Sequence, residues 1–208
     1  MKYQEIRPNI FECKTCPTRC DGVSKGEYIF QNDAAFSDFY EQKVIDFYNS
    51  KPDFSAYKTT EKGYPDIIVK NKKTTFYIEI KVQRRTFMSV QKYLTEANLF
   101  PSETIALNQS DLVRYFDLRK KNDANIYVMW ILLNRPCILN EKSEKFYIQD
   151  IRNLQNIFQK VTDTRRFRRK SGEGDIVDGQ HKGVVVNYHF SLNELKEIEI
   201  IDSLNNNA

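Results

Sequence analysis

The 208-residue chain has no apolar run approaching the ~18–20 residues needed to cross a bilayer. Its longest hydrophobic stretch, Ile126 to Leu133, has the length of a buried strand. The first residues, Met1 to Ile10, carry charges and a proline and lack an apolar signal core, so a cytoplasmic protein with no membrane partner is expected. Cysteine is scarce. Four are too few to staple a domain of this size, and three of them, Cys13, Cys16 and Cys20, crowd into eight positions. That spacing suggests a metal site in a reducing compartment more than a disulfide framework. A dominant charge is also missing: 32 basic side chains against 28 acidic ones leave +4, which by itself points to no nucleic-acid partner. No internal repeat is visible.

What is present suits a folded core. Hydrophobic residues make up 40% of the chain, including 14 Phe and 12 Tyr, and charged residues 29%, which excludes wholesale disorder. The length predicts one compact domain with a small appendage: an irregular, cysteine-containing extension over residues 1–31 and a domain over 32–208. Asn32 or Asp33 is placed to cap a helix to about Tyr48. Residues 64–83 read as a hairpin, with strands at Ile67–Val69 and Phe76–Val82 around a polar turn at Asn71-Lys72-Lys73. A helix is expected from Ser89 to Asn98, a short strand at Thr104–Leu107, and a helix capped by Ser110 running through Leu118 and Arg119. The strand at 126–133 reads as central to the sheet. A strand at Phe146–Ile148, a helix over Ile151–Phe158, a strand at Val184–Phe190 and a last helix at Leu192–Lys196 complete the reading. The class is therefore α/β, with a central mixed sheet flanked by helices.

The hairpin carries the chemistry. Along its second strand, Phe76, Ile78, Ile80 and Val82 face one way and Tyr77, Glu79, Lys81 and Gln83 the other. Glu79 and Lys81 are then neighbours on one face, roughly 6–7 Å apart. A turn over residues 71–74 pairs Lys70 with Thr75 and sets Asp66 opposite Glu79, with Cβ atoms about 4.5–5.5 Å apart. Two carboxylates that close repel unless a hard divalent cation lies between them. Such a cation suits phosphodiester hydrolysis, with a lysine beside it to orient or help deprotonate the attacking water. The backbone carbonyl of Ile80 lies between the two polar side chains, within reach of the same ion. Glu41 shares a helical face with Val44, Ile45 and Tyr48 and is a candidate further acid, in competition with Asp38 and Asp46.

Pro65-Asp66, twelve intervening residues, and Glu79-Ile80-Lys81 together resemble the PD-(D/E)xK nuclease superfamily. The resemblance covers about residues 33–98. It implies a restriction-endonuclease-like mixed sheet and Mg²⁺ (or Mn²⁺) held by Asp66 and Glu79, with Lys81 as the catalytic lysine and Glu41 as the acid from the preceding helix. Gly63 before Tyr64-Pro65-Asp66, and Gln91 on the following helix, resemble the virus-type replication-repair branch, and Gln91 is a candidate DNA contact on that basis. The plain alternative is a solvated hairpin with a surface ion pair.

Cys13-x2-Cys16-x3-Cys20 with the distant Cys137 makes four thiolates, the number for tetrahedral Zn²⁺ or a [4Fe–4S] cluster. Some RecB-like nucleases carry an iron–sulfur clasp, with one cysteine before the domain and three after it; here that order is reversed. Cys137 alone reads equally as a small buried hydrophobe, and His181 or His189 is a possible substitute ligand. Arg165, Arg166, Arg168, Arg169 and Lys170 surround Phe167 ahead of a glycine-rich stretch, as expected of a mobile DNA-binding arm in which guanidiniums meet phosphates and the ring stacks on a base. The expected function is a Mg²⁺-dependent DNA endonuclease, of restriction or phage-defence type and acting as a homodimer if both strands are cut. The alternatives are a structure-specific repair or recombination nuclease, or a non-catalytic, metal-stapled DNA-binding module.

Overall fold

A computed structural model describes residues 3–16, 20, 30–168, 176–177, 180–181 and 186–200. Its elements in chain order are β1 (Glu5–Arg7), β2 (Ile10–Phe11), α1 (Phe30–Asn49), β3 (Ser55–Lys58), β4 (Ile67–Lys70), β5 (Thr75–Gln83), α2 (Val90–Tyr93), β6 (Thr104–Asn108), α3 (Gln109–Asn122) and β7 (Asn125–Leu132). They continue with α4 (Pro136–Leu139), β8 (Lys145–Asp150), α5 (Ile151–Val161), β9 (Arg166–Arg168), β10 (Ile176–Val177), β11 (Gln180–His181), β12 (Val186–Ser191) and β13 (Lys196–Ile198).

Six strands form the main sheet in the order β13-β8-β7-β5-β4-β3, antiparallel except for the parallel pair β5–β7. A parallel pair needs a crossover rather than a turn, and the segment between β5 and β7 contains α2, β6 and α3. The expected central strand holds that place. Met129 and Ile131 of β7 enter one core with α1 residues Val44 and Ile45, while Val128, Trp130 and Leu132 enter the other with α3 and α5. Its continuous hydrophobicity follows from burial on both faces. A second, three-stranded sheet, β6-β12-β9, is docked onto the first through the Trp130 indole N–H, which donates to the Ala106 carbonyl at 3.0 Å.

Several expectations are corrected. The helix over 89–98 stops at Tyr93. A 3-10 turn over Thr95–Ala97 follows, and Asn98 takes a left-handed φ of 51°, which ends any helix there. Val90, Leu94, Ala97 and Leu99 bury as a local cluster. Ser110 lies inside the first turn of α3, with Asn108 in the cap position. The last helix is one 3-10 turn over Leu192–Glu194, capped by Ser191 through a capping box, and the chain then extends into β13 against β8. The extension is not wholly irregular, since β1 and β2 pair. Among the described residues no helix is long and apolar enough to cross a membrane.

Candidate active site

The hairpin register is set by its turn. Asn71 Oδ1 accepts from the N–H groups of Lys73 and Thr74 at 2.8 Å each, closing a tight turn that pairs Lys70 with Thr75 and Ile67 with Ile78. The paired ladder ends at Ile67–Ile78, and just beyond it the Ile80 N–H donates to Asp66 Oδ2 at 2.8 Å. Behind this face Ile78 and Ile80 are buried against the α1 core, each removal from water stabilising by roughly 1.5–3 kcal/mol. The loop before Asp66 is fastened as well. Gly63 sits at φ +89°, a conformation side chains rarely adopt, and the Tyr64 hydroxyl accepts from Asn122 Nδ2 at 2.9 Å.

Asp66, Glu79 and Lys81 thus converge on one face of the hairpin. Glu79 is 3% exposed. Its Oε1 lies 2.5 Å from Lys81 Nζ, and its Oε2 accepts from the Tyr115 hydroxyl. Lys81 Nζ is also 3.6 Å from Asp111 Oδ2, and Arg114 binds Asp111 Oδ1 at 2.8 Å. Burial first, and the Glu79 charge second, push Asp66 up to about 7. Burial works against the Lys81 ammonium, but Glu79, Asp111 and Asp66 outweigh it and hold its pKa above the ordinary value. Burial and Glu79 likewise raise the Tyr115 phenol, keeping it a donor.

Glu41 of α1 stands at the rim, its side chain 14% exposed, with Lys58 Nζ bridging it at 2.9 Å and Asp38 at 2.6 Å. Its charge reaches Asp66. Gln91 is exposed on α2. Sequence reasoning missed Asp111, Arg114 and Tyr115. The buried positions Leu112, Tyr115 and Phe116 on α3 marked Tyr115 as core, but no local signal told which carboxylate its hydroxyl would meet.

The donor set suits a hard cation. The Asp66 carboxyl, its proton affinity raised by burial and by the Glu79 charge, gains from a positive charge beside it, and each Glu79 oxygen keeps a lone pair beyond its present partner. Among the described residues, however, no three His, Cys, Asp or Glu side chains are preset as a metal-binding group.

The basic run differs from a mobile arm where it is described. Arg165 is 9% exposed and its Nη1 binds both carboxylate oxygens of Glu194, at 2.8 and 2.7 Å, so its charge serves the fold rather than a phosphate. Arg166 pairs with Asp163 at 2.8 Å. Phe167 packs between Phe87 and Tyr93, with centroids 5.0 and 5.1 Å away, because β9 is a strand paired with β12. Arg168 is exposed, and Arg169 and Lys170 lie outside the described residues.

Cys13, Cys16, Cys20 and Cys137 form no disulfide, and they lie within reach of one another's charge. Burial first, then Cys20 and Cys16, raises Cys13 to about 11; burial first, then Cys20 and Cys13, raises Cys137 to about 12. His189 is not among them. It is buried beside the Arg165 carbonyl, at 3.2 Å from Nδ1, and burial lowers it to about 4. The His181 side chain lies outside the described residues.

No protein-family model and no curated protein sequence matches the chain. Ten solved chains are similar in structure. One is Hjc, a Holliday junction resolvase of the archaeal hyperthermophile Archaeoglobus fulgidus, 13% identical, with 78% of this chain and 92% of that chain covered and a TM-score of 0.42. At that distance the likeness assigns no activity. The site's own geometry therefore carries the functional reading: a buried glutamate, an aspartate and a lysine on one hairpin, roofed by a tyrosine.

Proposed function

We propose that the protein is a divalent-metal-dependent DNA nuclease acting on branched or partly unpaired DNA. The observation that carries it is the convergence of Asp66, Glu79 and Lys81 on one hairpin face, Glu79 buried and doubly hydrogen-bonded. Asp66 and Glu79, with the Ile80 carbonyl and Glu41 nearby, are the groups that would hold Mg²⁺ or Mn²⁺, which when bound supplies Lewis-acid polarisation of a phosphate oxygen. Lys81 stays protonated between three carboxylates. It therefore serves as a fixed positive charge that orients the attacking water and offsets charge growing on the phosphate, rather than as a general base. Tyr115 and the Ile80 N–H hold Glu79 and Asp66 in place.

The preference for unpaired or branched DNA is supported by one surface. Tyr93 is half exposed and stacked on Phe87 at an interplanar angle of 12°, with Lys92 Nζ 5.6 Å from its ring centroid. Aromatic faces beside a cation take unpaired bases with little regard to sequence, whereas restriction-type reading requires base-edge contacts in a groove. A cleavage panel tests this: supercoiled and linear duplex, single strands, flaps and four-way junctions, with Mg²⁺ and with chelator. Mg²⁺-dependent cuts concentrated at flaps or junctions, abolished in Asp66→Asn and Lys81→Ala, are expected. Cleavage of plain duplex at fixed sites would replace this reading with a restriction enzyme. Salt-sensitive binding with no products under any condition would replace it with a binding module.

A further inference from the structure

Strands β3, β4 and β5 carry a cleft of about 460 Å³ beside the candidate active site, a volume in the range of small-molecule and cofactor sites. Register explains its lining. Tyr57 of β3 pairs with Ile68 of β4, and Ile68 with Tyr77 of β5, so the three side chains form one row across the sheet. The two tyrosines stand on strands two apart, roughly 9–10 Å at the backbone. They are walls, and Ile68 between them is the floor. In the adjoining row Lys70 pairs with Ser55 and with Thr75, and its Nζ lies 5.3 Å from the Tyr57 ring centroid.

The cleft is held open for something other than its own side chains. Tyr57 is 43% exposed, a large ring left uncovered on the edge strand of the sheet. Tyr77 is braced by Tyr64, with ring centroids 5.2 Å apart, and Tyr64 is fixed in turn by Asn122 of α3. Thr59 Oγ1, at the end nearest Asp66, is buried with no hydrogen-bond partner among the described residues. A buried hydroxyl in that state is costly until a ligand supplies the partner. The cleft is also continuous with the catalytic groups. The Thr59 N–H donates to the Asp66 carbonyl at 2.8 Å. Thr75, Tyr77 and Glu79 alternate along β5, so a cation row, an aromatic row and an acid succeed one another at roughly 6–7 Å.

We infer that this cleft binds one unpaired nucleotide of the DNA strand, beside the phosphate that is cut, an inference that rests on the nuclease reading of the same face. The base stacks against the tyrosine walls over Ile68, and Thr59 Oγ1 hydrogen-bonds its edge. Glu61, at the rim, accepts a base N–H, while Lys70 meets a phosphate further along the strand. Stacking of this kind tolerates every base, because each has a π-face. A paired base cannot enter without leaving its helix, at a cost smallest where the strand is already unpaired. The Phe87–Tyr93 platform lies beyond the other end of β5. Glu79 and Lys81 therefore sit between two aromatic surfaces, and a strand that uses both crosses them.

The test titrates the full chain, in chelator, into fluorescently labelled single strands and flaps, intact or with one abasic residue at successive positions, and reads anisotropy. The unaltered chain should bind about 5–150-fold more weakly when the missing base is the one the cleft holds. Tyr57→Ala should weaken binding of the intact strand by a similar factor and then bind intact and abasic strands alike; damage to the fold would weaken both and keep their ratio. Tyr57→Phe keeps the ring and should keep the discrimination. Tyr57→Trp should gain a fluorescence that the intact strand quenches and the abasic one does not. Lys70→Ala should lower the slope of log affinity against log salt by ~0.7. Discrimination without Mg²⁺-dependent products leaves the nucleotide cleft standing and removes the nuclease reading. Mg²⁺-dependent cleavage with equal affinity for intact and abasic strands at every position overturns the cleft, as does an abasic penalty that Tyr57→Ala leaves unchanged. A dimer that Tyr57→Ala turns into a monomer assigns the face to a second copy of the chain and overturns it as well.

Discussion

Replacing Asp66 by asparagine tests the site's electrostatics without relying on catalysis. Burial, and then Glu79, lift the Asp66 carboxyl from an ordinary 3.8 to about 7. The folded, metal-free protein therefore keeps a proton that the unfolded chain has already released. For a group raised on folding, the stabilisation is complete below about pH 3.8 and is lost as pH climbs through about 7. About three pH units at ~1.36 kcal/mol each bound the loss at on the order of 4 kcal/mol. Asp66→Asn keeps an oxygen to accept the Ile80 N–H but has no charge to bury. Urea unfolding in chelator, near pH 3.5 and near pH 8, compares the two proteins. The variant should match the natural chain at the acid end and exceed it by about 2–4 kcal/mol at the alkaline end. Saturating Mg²⁺ near pH 8 should stabilise the natural chain alone, by about 2.7 kcal/mol at a hundredfold excess over Kd. Parallel pH curves in chelator, or equal stabilisation of both proteins by Mg²⁺, would refute the account of Asp66 as a buried acid awaiting a cation.

Tyr115→Phe removes the donor to Glu79 Oε2 and leaves that oxygen buried with one partner fewer, so a stability loss of about 1–3 kcal/mol is expected by denaturant titration. The same variant should slow single-turnover cleavage, because Glu79 is then held by Lys81 alone; unchanged rates would count against a positioning role for α3. Arg165→Ala should destabilise the fold by about 3 kcal/mol, since it strips Glu194 of a partner in a half-buried pair. Arg168→Ala should leave stability intact and lower the slope of log affinity for duplex DNA against log salt by ~0.9. If Arg165→Ala unfolds at the same denaturant concentration as the natural chain, the assignment of that arginine to the fold is wrong.

The central strand, the α1 helix and the register of the β4–β5 hairpin were all legible in the chain alone, and for a local reason. A strand has period two and a tight turn leaves one register, so counting outward from Asn71 decides which residues face each other. What stands across from that face is a different kind of fact. Tyr115 and Asp111 reach Glu79 and Lys81 only because the β5-to-β7 crossover lays α3 over the hairpin, and no spacing along the sequence encodes where a helix lands. The arginine run shows the same limit from the other side. Five similar letters read as one basic arm, yet the 3-10 turn before β9 delivers Arg165 to Glu194, while β-pairing with β12 leaves Arg168 in solvent. Arg135 is the extreme case, an ordinary basic residue by sequence and a fully buried cation in space. Patterns of period two or 3.6 settle local pairing and which side of an element is buried, while the partner of each charge depends on the docking of elements distant along the chain, and that the tertiary structure alone decides.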